Sequence, residues 1–273
     1  MSLELPLIVE ASQLKQHLNT KNILIIDISN PAAYLQQHIP GAIYLNYEWI
    51  VRMEPPRMGL LPFEEQINRV FSSLGMNQDT HIIAYDDEGG GRACRLLWTL
   101  DAAGHKHFSF LNGGLAAWVQ DGNETSNDIR YPNPTASHYH ASMNDEPVAT
   151  QQYIKENLDN DDVVIFDTRS PAEFSGTKVF AQRGGHIPGA VNIDWTDAMD
   201  KKNNMRLKPE AELRKMYEAN GIVTNKTIVT HCQAHHRSAH TYIVLKSLGY
   251  ENVKGYPGSW SDWGNMADTP IES

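Results

Sequence analysis

A chain of 273 residues, 41% of them hydrophobic and 21% charged, has room for two ordinary globular domains and none of the bias of a disordered or fibrous protein. Its net charge of −10 excludes the broad basic face that displaces counterions from nucleic acid, though not a local site for a small anion. Two cysteines, Cys94 and Cys232, cannot build a disulfide framework. The opening Met1–Ser12 has no basic leader and no run approaches the roughly 18 apolar residues of a membrane span, so a cytoplasmic, membrane-free setting is expected.

In chain order, Ile23–Ile26 is a short apolar, β-branched run that predicts a buried strand. Asn30-Pro31-Ala32-Ala33-Tyr34 and His38-Ile39-Pro40-Gly41-Ala42 follow it. A second strand is predicted over His81–Tyr85, then the acidic, glycine-rich loop Asp86–Arg92, and then a helical pattern that makes Cys94 a packing residue. Gly113-Gly114-Leu115-Ala116-Ala117-Trp118 precedes a polar, proline-containing stretch, Gln120–Glu146, which reads as a connector.

Beyond the connector the pattern starts again. Ile165-Phe166-Asp167 and Ser170-Pro171-Ala172-Glu173-Phe174 answer the first segments at an offset of 140, and His186–Ala190 repeats His38–Ala42 letter for letter at 148. The difference is an eight-residue insertion within Ser175–Gly185. Val191–Ile193 is a strand with Trp195 just after it, and Pro209–Ala219 a helix. Thr227–His231 is a strand, Ser238–Leu248 a helix stopped by Gly249, and Trp263 matches Trp118 at an offset of 145. Ordered matches of this kind mean duplication, giving domains at 1–130 and 147–273. Strands alternating with helices make each an α/β domain with a mostly parallel sheet covered by helices on both faces. His38 and His186, present in both copies, read as structural turn residues.

Chemistry concentrates in one loop. Cys232-Gln233-Ala234-His235-His236-Arg237-Ser238 links a strand to a helix at the carboxyl end of a parallel sheet, where amides and the helix N-terminus converge on a bound anion. A thiol held there is depressed toward a thiolate, which makes Cys232 the candidate nucleophile. Its counterpart in the first copy is Asp86, so that copy is expected to be silent, with Asp86, Asp87 and Glu88 as exposed turn acids and no metal site. Asp167 and Arg169 are expected to brace the cleft as a pair, and Trp195 to line it.

Cysteine phosphatases place five residues between cysteine and arginine; here there are four. With that spacing, the silent first copy, both His-Ile-Pro-Gly-Ala segments and the closing Gly258-Ser259-Trp260-Ser261-Asp262-Trp263-Gly264, the chain resembles the tandem-domain rhodaneses, in particular the bacterial form whose loop reads Cys-Gln-x-His-His-Arg-Ser. The resemblance implies a thiosulfate sulfurtransferase without cofactor. Its Cys232 would carry the outer sulfur of a small anionic donor as a persulfide and pass it to cyanide, a thiol or a protein acceptor. It also implies that Gln233, Ala234, His235, His236, Arg237 and Ser238 form the binding loop, with Arg237 attracting the anion and bracing the loop. Animal members carry an arginine within the segment matching Pro171–Phe174 and a lysine or small residue two places after the cysteine, where this chain has Glu173 and Ala234. Mercaptopyruvate-using relatives have a small neutral loop instead. A 3-mercaptopyruvate sulfurtransferase, a cysteine-loop phosphatase and a non-catalytic persulfide carrier are the alternatives.

Overall fold

The computed structural model describes residues 5–134 and 136–273; Met1–Glu4, part of the segment read for a leader, lie outside them. Among the described residues no helix is long and apolar enough to cross a membrane. The chain forms two compact units. One contains the chain up to Ile50, Pro62–Asn144 and Asp200–Leu207; the other contains Val51–Leu61, Asp145–Met199 and Lys208–Ser273. The polar stretch read as a connector thus packs with the first unit as far as Asn144, and each unit takes in a short segment from the opposite half of the sequence.

The first unit holds five parallel strands in the order Ile8–Val9, Phe108–Leu111, His81–Tyr85, Ile23–Asp27, Ile43–Tyr44. The second holds four, in the order Val253–Gly255, Thr227–His231, Val163–Asp167, Val191–Asn192, and a parallel bridge from Val148 to Gly255 stands where the first unit has its fifth strand. The register repeats as well: Asp27 lies opposite Tyr85, and Asp167 opposite His231. These inner strands are rich in Ile and Val because a parallel sheet is covered on both faces, and β-branched side chains fit its pleat.

Each unit has its own core. Val9, Ile25, Ile39, Ile83, Leu111 and Trp118 pack together in the first. Ile154, Ile165, Ile187, Val229, Trp260 and Trp263 do so in the second. Each fully buried aliphatic side chain contributes about 1.5–3 kcal/mol. The matched histidines are part of the same duplicated frame. His38 Nδ1 bonds to the Tyr34 carbonyl at 2.8 Å with the rings stacked at 4.0 Å, and His186 Nδ1 bonds to the Phe174 carbonyl at 2.9 Å with the rings stacked at 3.6 Å. Cys94 is fully buried in the helix Gly91–Ala102, where burial pushes its thiol well up.

Candidate active site

The strand Thr227–His231 delivers the chain to Cys232, and the helix Arg237–Ser247 begins five residues later. The peptide planes between them face two ways. The Cys232 and Gln233 carbonyls accept from the amides of Trp260 and Ser261 at 2.9 Å each, at the start of the helix Ser259–Trp263. The amides turn inward: His236 N donates to Cys232 Sγ at 3.3 Å, and those of Ala234 and Ser238 also face the sulfur. Cys232 is itself fully buried. Burial pushes its thiol up, but the Arg237 charge, the Ser238 hydroxyl and the amides of Ser238 and Ala234 outweigh it and pull the thiol down to about 7. A buried group with that balance is substantially thiolate at neutral pH.

Arg237 is held. Its Nη1 and Nη2 donate to Glu173 Oε2 and Oε1 at 2.8 Å each, a bidentate pair with the Glu173 side chain 4% exposed. Burial raises the Glu173 carboxyl, yet Arg237 and Ser170 together hold it at about 2. Glu173 also closes the capping box of its own short helix, Pro171–Phe174, with Ser170 as N-cap. The Arg237 guanidinium fork is thus occupied by a carboxylate, and its charge lies near enough to Cys232 to pull the thiol down.

The remaining loop residues divide by burial. His235 is fully buried at φ 49°, with Nδ1 on Ser238 Oγ at 2.8 Å, so it sets the shape of the loop. His236 is half-buried, with its ring 6.3 Å from that of Trp195. Trp195 opens the 3₁₀ turn Trp195–Ala198 and meets the buried His240 edge-on at 5.4 Å. The Gln233 side chain donates to the Phe180 carbonyl at 3.2 Å. Asp167 and Arg169 form a fully buried bidentate pair, Arg169 Nε and Nη2 donating at 2.9 and 2.6 Å. The guanidinium of Arg169 lies 4.3 Å over the Trp260 ring, and His231 Nε2 is 3.7 Å from Asp167. Burial outweighs Asp167 and lowers the pKa of His231, so its imidazole is neutral.

Three contributors escaped the sequence reading. Ser259 Oγ accepts from the amides of Cys232 at 3.3 Å and His235 at 3.0 Å, and donates to the Tyr256 carbonyl at 2.8 Å. Its φ of 52° is one that favours glycine, so the hydroxyl is held at a conformational cost. Gly59, in the strand Arg57–Leu60, passes so close that an added Cβ would stand 2.1 Å from the Ala234 carbonyl oxygen and 2.6 Å from that of Pro257. Glu173 was noted only as a departure from the animal pattern. The repeat offset would have flagged Ser259, because it matches Gly114 at the same positive φ, 54°.

In the first copy, Asp86 is buried and not an exposed turn acid, which corrects the expectation. Its Oδ1 accepts from the amides of Glu88 at 3.0 Å and Gly90 at 2.7 Å, and Oδ2 from Ala93 at 2.9 Å. Arg92 sits beside Asp87 and Glu88 at 3.5 and 3.3 Å. Among the described residues no group of three His, Cys, Asp or Glu side chains is gathered to hold a metal ion.

The rhodanese-like domain model matches the chain twice, over residues 10–121 and 150–266. A thiosulfate sulfurtransferase of Pseudomonas aeruginosa is 42% identical over 98% of both chains, and one of Azotobacter vinelandii 43% identical over 98% of this chain and 97% of its own. The sulfur carrier protein TtuD of Thermus thermophilus is 31% identical over 97% of this chain and 95% of its own. The anaerobic ergothioneine biosynthesis enzyme from Chlorobium limicola, solved with trimethyl histidine, superposes with a TM-score of 0.86 at 20% identity over 98% of this chain and 70% of that one, a likeness of fold. With two rhodanese-like domains and full-length relatives of this identity, the chain belongs to the rhodanese family.

Proposed function

We propose that the chain is a thiosulfate sulfurtransferase working through a persulfide on Cys232. The observation that carries this reading is a fully buried cysteine whose thiol lies at about 7, at the focus of amides in a loop with four residues between cysteine and arginine. The Cys232 thiolate attacks the outer sulfur of thiosulfate. A sulfur–sulfur bond forms at Cys232, the bond to the sulfonate sulfur breaks, and sulfite leaves with the electron pair. The inward amides of Ala234, His236 and Ser238 then face the new anionic sulfur. An acceptor nucleophile, cyanide or a thiol, takes that outer sulfur and returns the Cys232 thiolate, which divides one transfer into two displacements.

With Arg237 paired to Glu173, recognition of the donor rests on oriented amides more than on a free cation. The four-residue spacing disfavours a phosphatase, whose loop must surround a tetrahedral phosphate. The name of the Thermus relative supports a second reading, a carrier that holds sulfur for a protein and turns over slowly with cyanide. The setting we propose is a reducing, cytoplasmic one, where Cys232 stays a thiol and no nucleic acid or membrane takes part.

Intact mass after thiosulfate treatment tests the reading. The wild type should gain one sulfur, which cyanide removes, while Cys232→Ser gains none. Sulfur retained on the variant would sink the assignment. Persulfide formation without steady cyanide turnover would favour the carrier.

A further inference from the structure

The eight-residue insertion that distinguishes the second copy lies beside the loop of Cys232. Residues 176–185 form a loop whose two ends meet at glycines. A Cβ at Gly176 would stand 2.8 Å from the Gly185 amide nitrogen, and one at Gly184 would stand 3.0 Å from Gly176 Cα. One limb is fastened by Thr177 Oγ1 and Lys178 N, which donate to the Ala172 carbonyl at 3.0 and 2.8 Å. The other is fastened by Gln182 N on Asn265 Oδ1 at 2.9 Å, and by Arg183, whose guanidinium donates to the carbonyls of Trp263, Met266 and Thr269. Between these anchors the tip carries Val179 and Phe180, 48% and 56% exposed, with the Lys178 ammonium 4.9 Å over the Phe180 ring. The Phe180 carbonyl is the one that accepts from Gln233, the residue after Cys232.

Two adjacent apolar side chains, each about half exposed on a fastened loop, are a surface available for contact. The loop from Ser175 to Gly185 contains Lys178 and Arg183 and no acidic residue, in a chain of net charge −10. Resting on the sulfur-transfer reading, we propose that this insertion selects the sulfur acceptor: Lys178, Val179 and Phe180 dock a partner protein whose reactive cysteine lies between apolar residues and a carboxylate. The partner's thiolate attacks the outer sulfur of the Cys232 persulfide. The bond to Cys232 breaks, its electron pair stays on Cys232 as thiolate, and the partner leaves as the persulfide. Cyanide, small enough to reach the sulfur unaided, has no need of the loop.

The test uses the full chain, charged with thiosulfate and freed of excess donor, and two synthetic acceptors: the blocked peptides Glu-Leu-Cys-Leu-Glu and Lys-Ser-Cys-Ser-Lys. Discharge of the persulfide is followed by mass. The wild type should prefer the acidic, apolar peptide by roughly tenfold, in the range of one well-packed interface anchor. The double variant Val179→Ser/Phe180→Ser should lose most of the preference, keeping only the part due to Lys178, while discharging to cyanide at the wild-type rate, and Lys178→Glu should turn the charge preference toward the basic peptide. Equal rates with both peptides in the wild type, or a preference undiminished in the double variant, overturn the proposal. A parallel loss of cyanide discharge also overturns it, because the loop would then merely support Cys232. A wild type that takes up no sulfur defeats the underlying reading instead, and does so at the charging step.

Discussion

Asp86 and Cys232 leave equivalent inner strands and are each followed by a loop and a helix whose amides turn back on them. In the first copy the three amides of Glu88, Gly90 and Ala93 close on the Asp86 carboxylate. In the second, those of Ala234, His236 and Ser238 face a sulfur. A single cradle therefore serves both copies, and its occupant decides what it does. A carboxylate that fills such a cradle braces it, whereas a thiolate that fills it could still act as a nucleophile. The surroundings have diverged in step. Asp27 is a buried acid beside Ser29 and Tyr85 with its pKa raised, chiefly by burial, while Asp167 carries a bidentate arginine. Gly114 and Ser259 share nearly the same positive φ, and only the serine sends an oxygen into the loop.

Writing the first copy's residue into the second breaks the comparison most severely. Cys232→Asp should fold, since its carboxylate meets donors already in place, and should lose sulfurtransferase activity by at least about 10⁴-fold, as when a nucleophile is removed elsewhere. Full activity in that variant would mean that sulfur passes through another group. Next in size is Ser259→Gly, which keeps the positive φ and removes the hydroxyl accepting from Cys232 and His235. Leaving two buried amides without it should cost about 1–3 kcal/mol in urea melts and slow sulfur uptake, whereas an unchanged melt would demote Ser259. Asp86→Ala runs the other way. It should lose about 1–3 kcal/mol of stability through three orphaned amides and keep cyanide turnover within about twofold. A large loss of turnover would show that the first copy takes part in the reaction.

The smallest effect is on the pH profile. The Cys232 thiol is lowered to about 7, so alkylation by iodoacetamide should be near its plateau above that pH and decline below it, as the thiolate takes up a proton. Glu173→Gln removes the negative charge that partly cancels Arg237, and the midpoint should move to lower pH. A midpoint that rises would mean that Arg237 swings away once released. The Glu173 carboxyl is depressed to about 2, so its contribution to stability is complete above the ordinary carboxylate range and fades as pH falls toward 2.

The duplication and the strand-to-helix loop that carries Cys232 were legible because each is a local pattern: a repeated phrase, and a β-branched run followed by a polar turn and a helix. The parallel sheets followed from the alternation of elements, and the pairing of Asp167 with Arg169 from their spacing on one strand end. What stayed hidden depends on distant parts of the chain. Glu173 and Arg237 are 64 residues apart, and nothing in either segment says that the arginine's fork is filled. Asp86 was misplaced as exposed because a run of acids looks solvated unless one knows that amides face it. Gly59 lies in no motif; only the folded chain shows it against Ala234.

The strand bearing Gly59 comes from the first half of the sequence yet packs in the unit of Cys232, while Asp200–Leu207 passes the other way. There, Arg206 reaches Asp121 at 2.8 Å and the Leu207 amide reaches Asn112 at 2.8 Å. No single cut between the copies separates two whole bodies. A truncated gene encoding only residues 147–273 would make a product missing the strand that packs against its Cys232 loop, and its partner fragment would lack the segment that carries Arg206. Although only one copy has a cysteine at this position, the exchanged segments give the other a reason to be inherited with it.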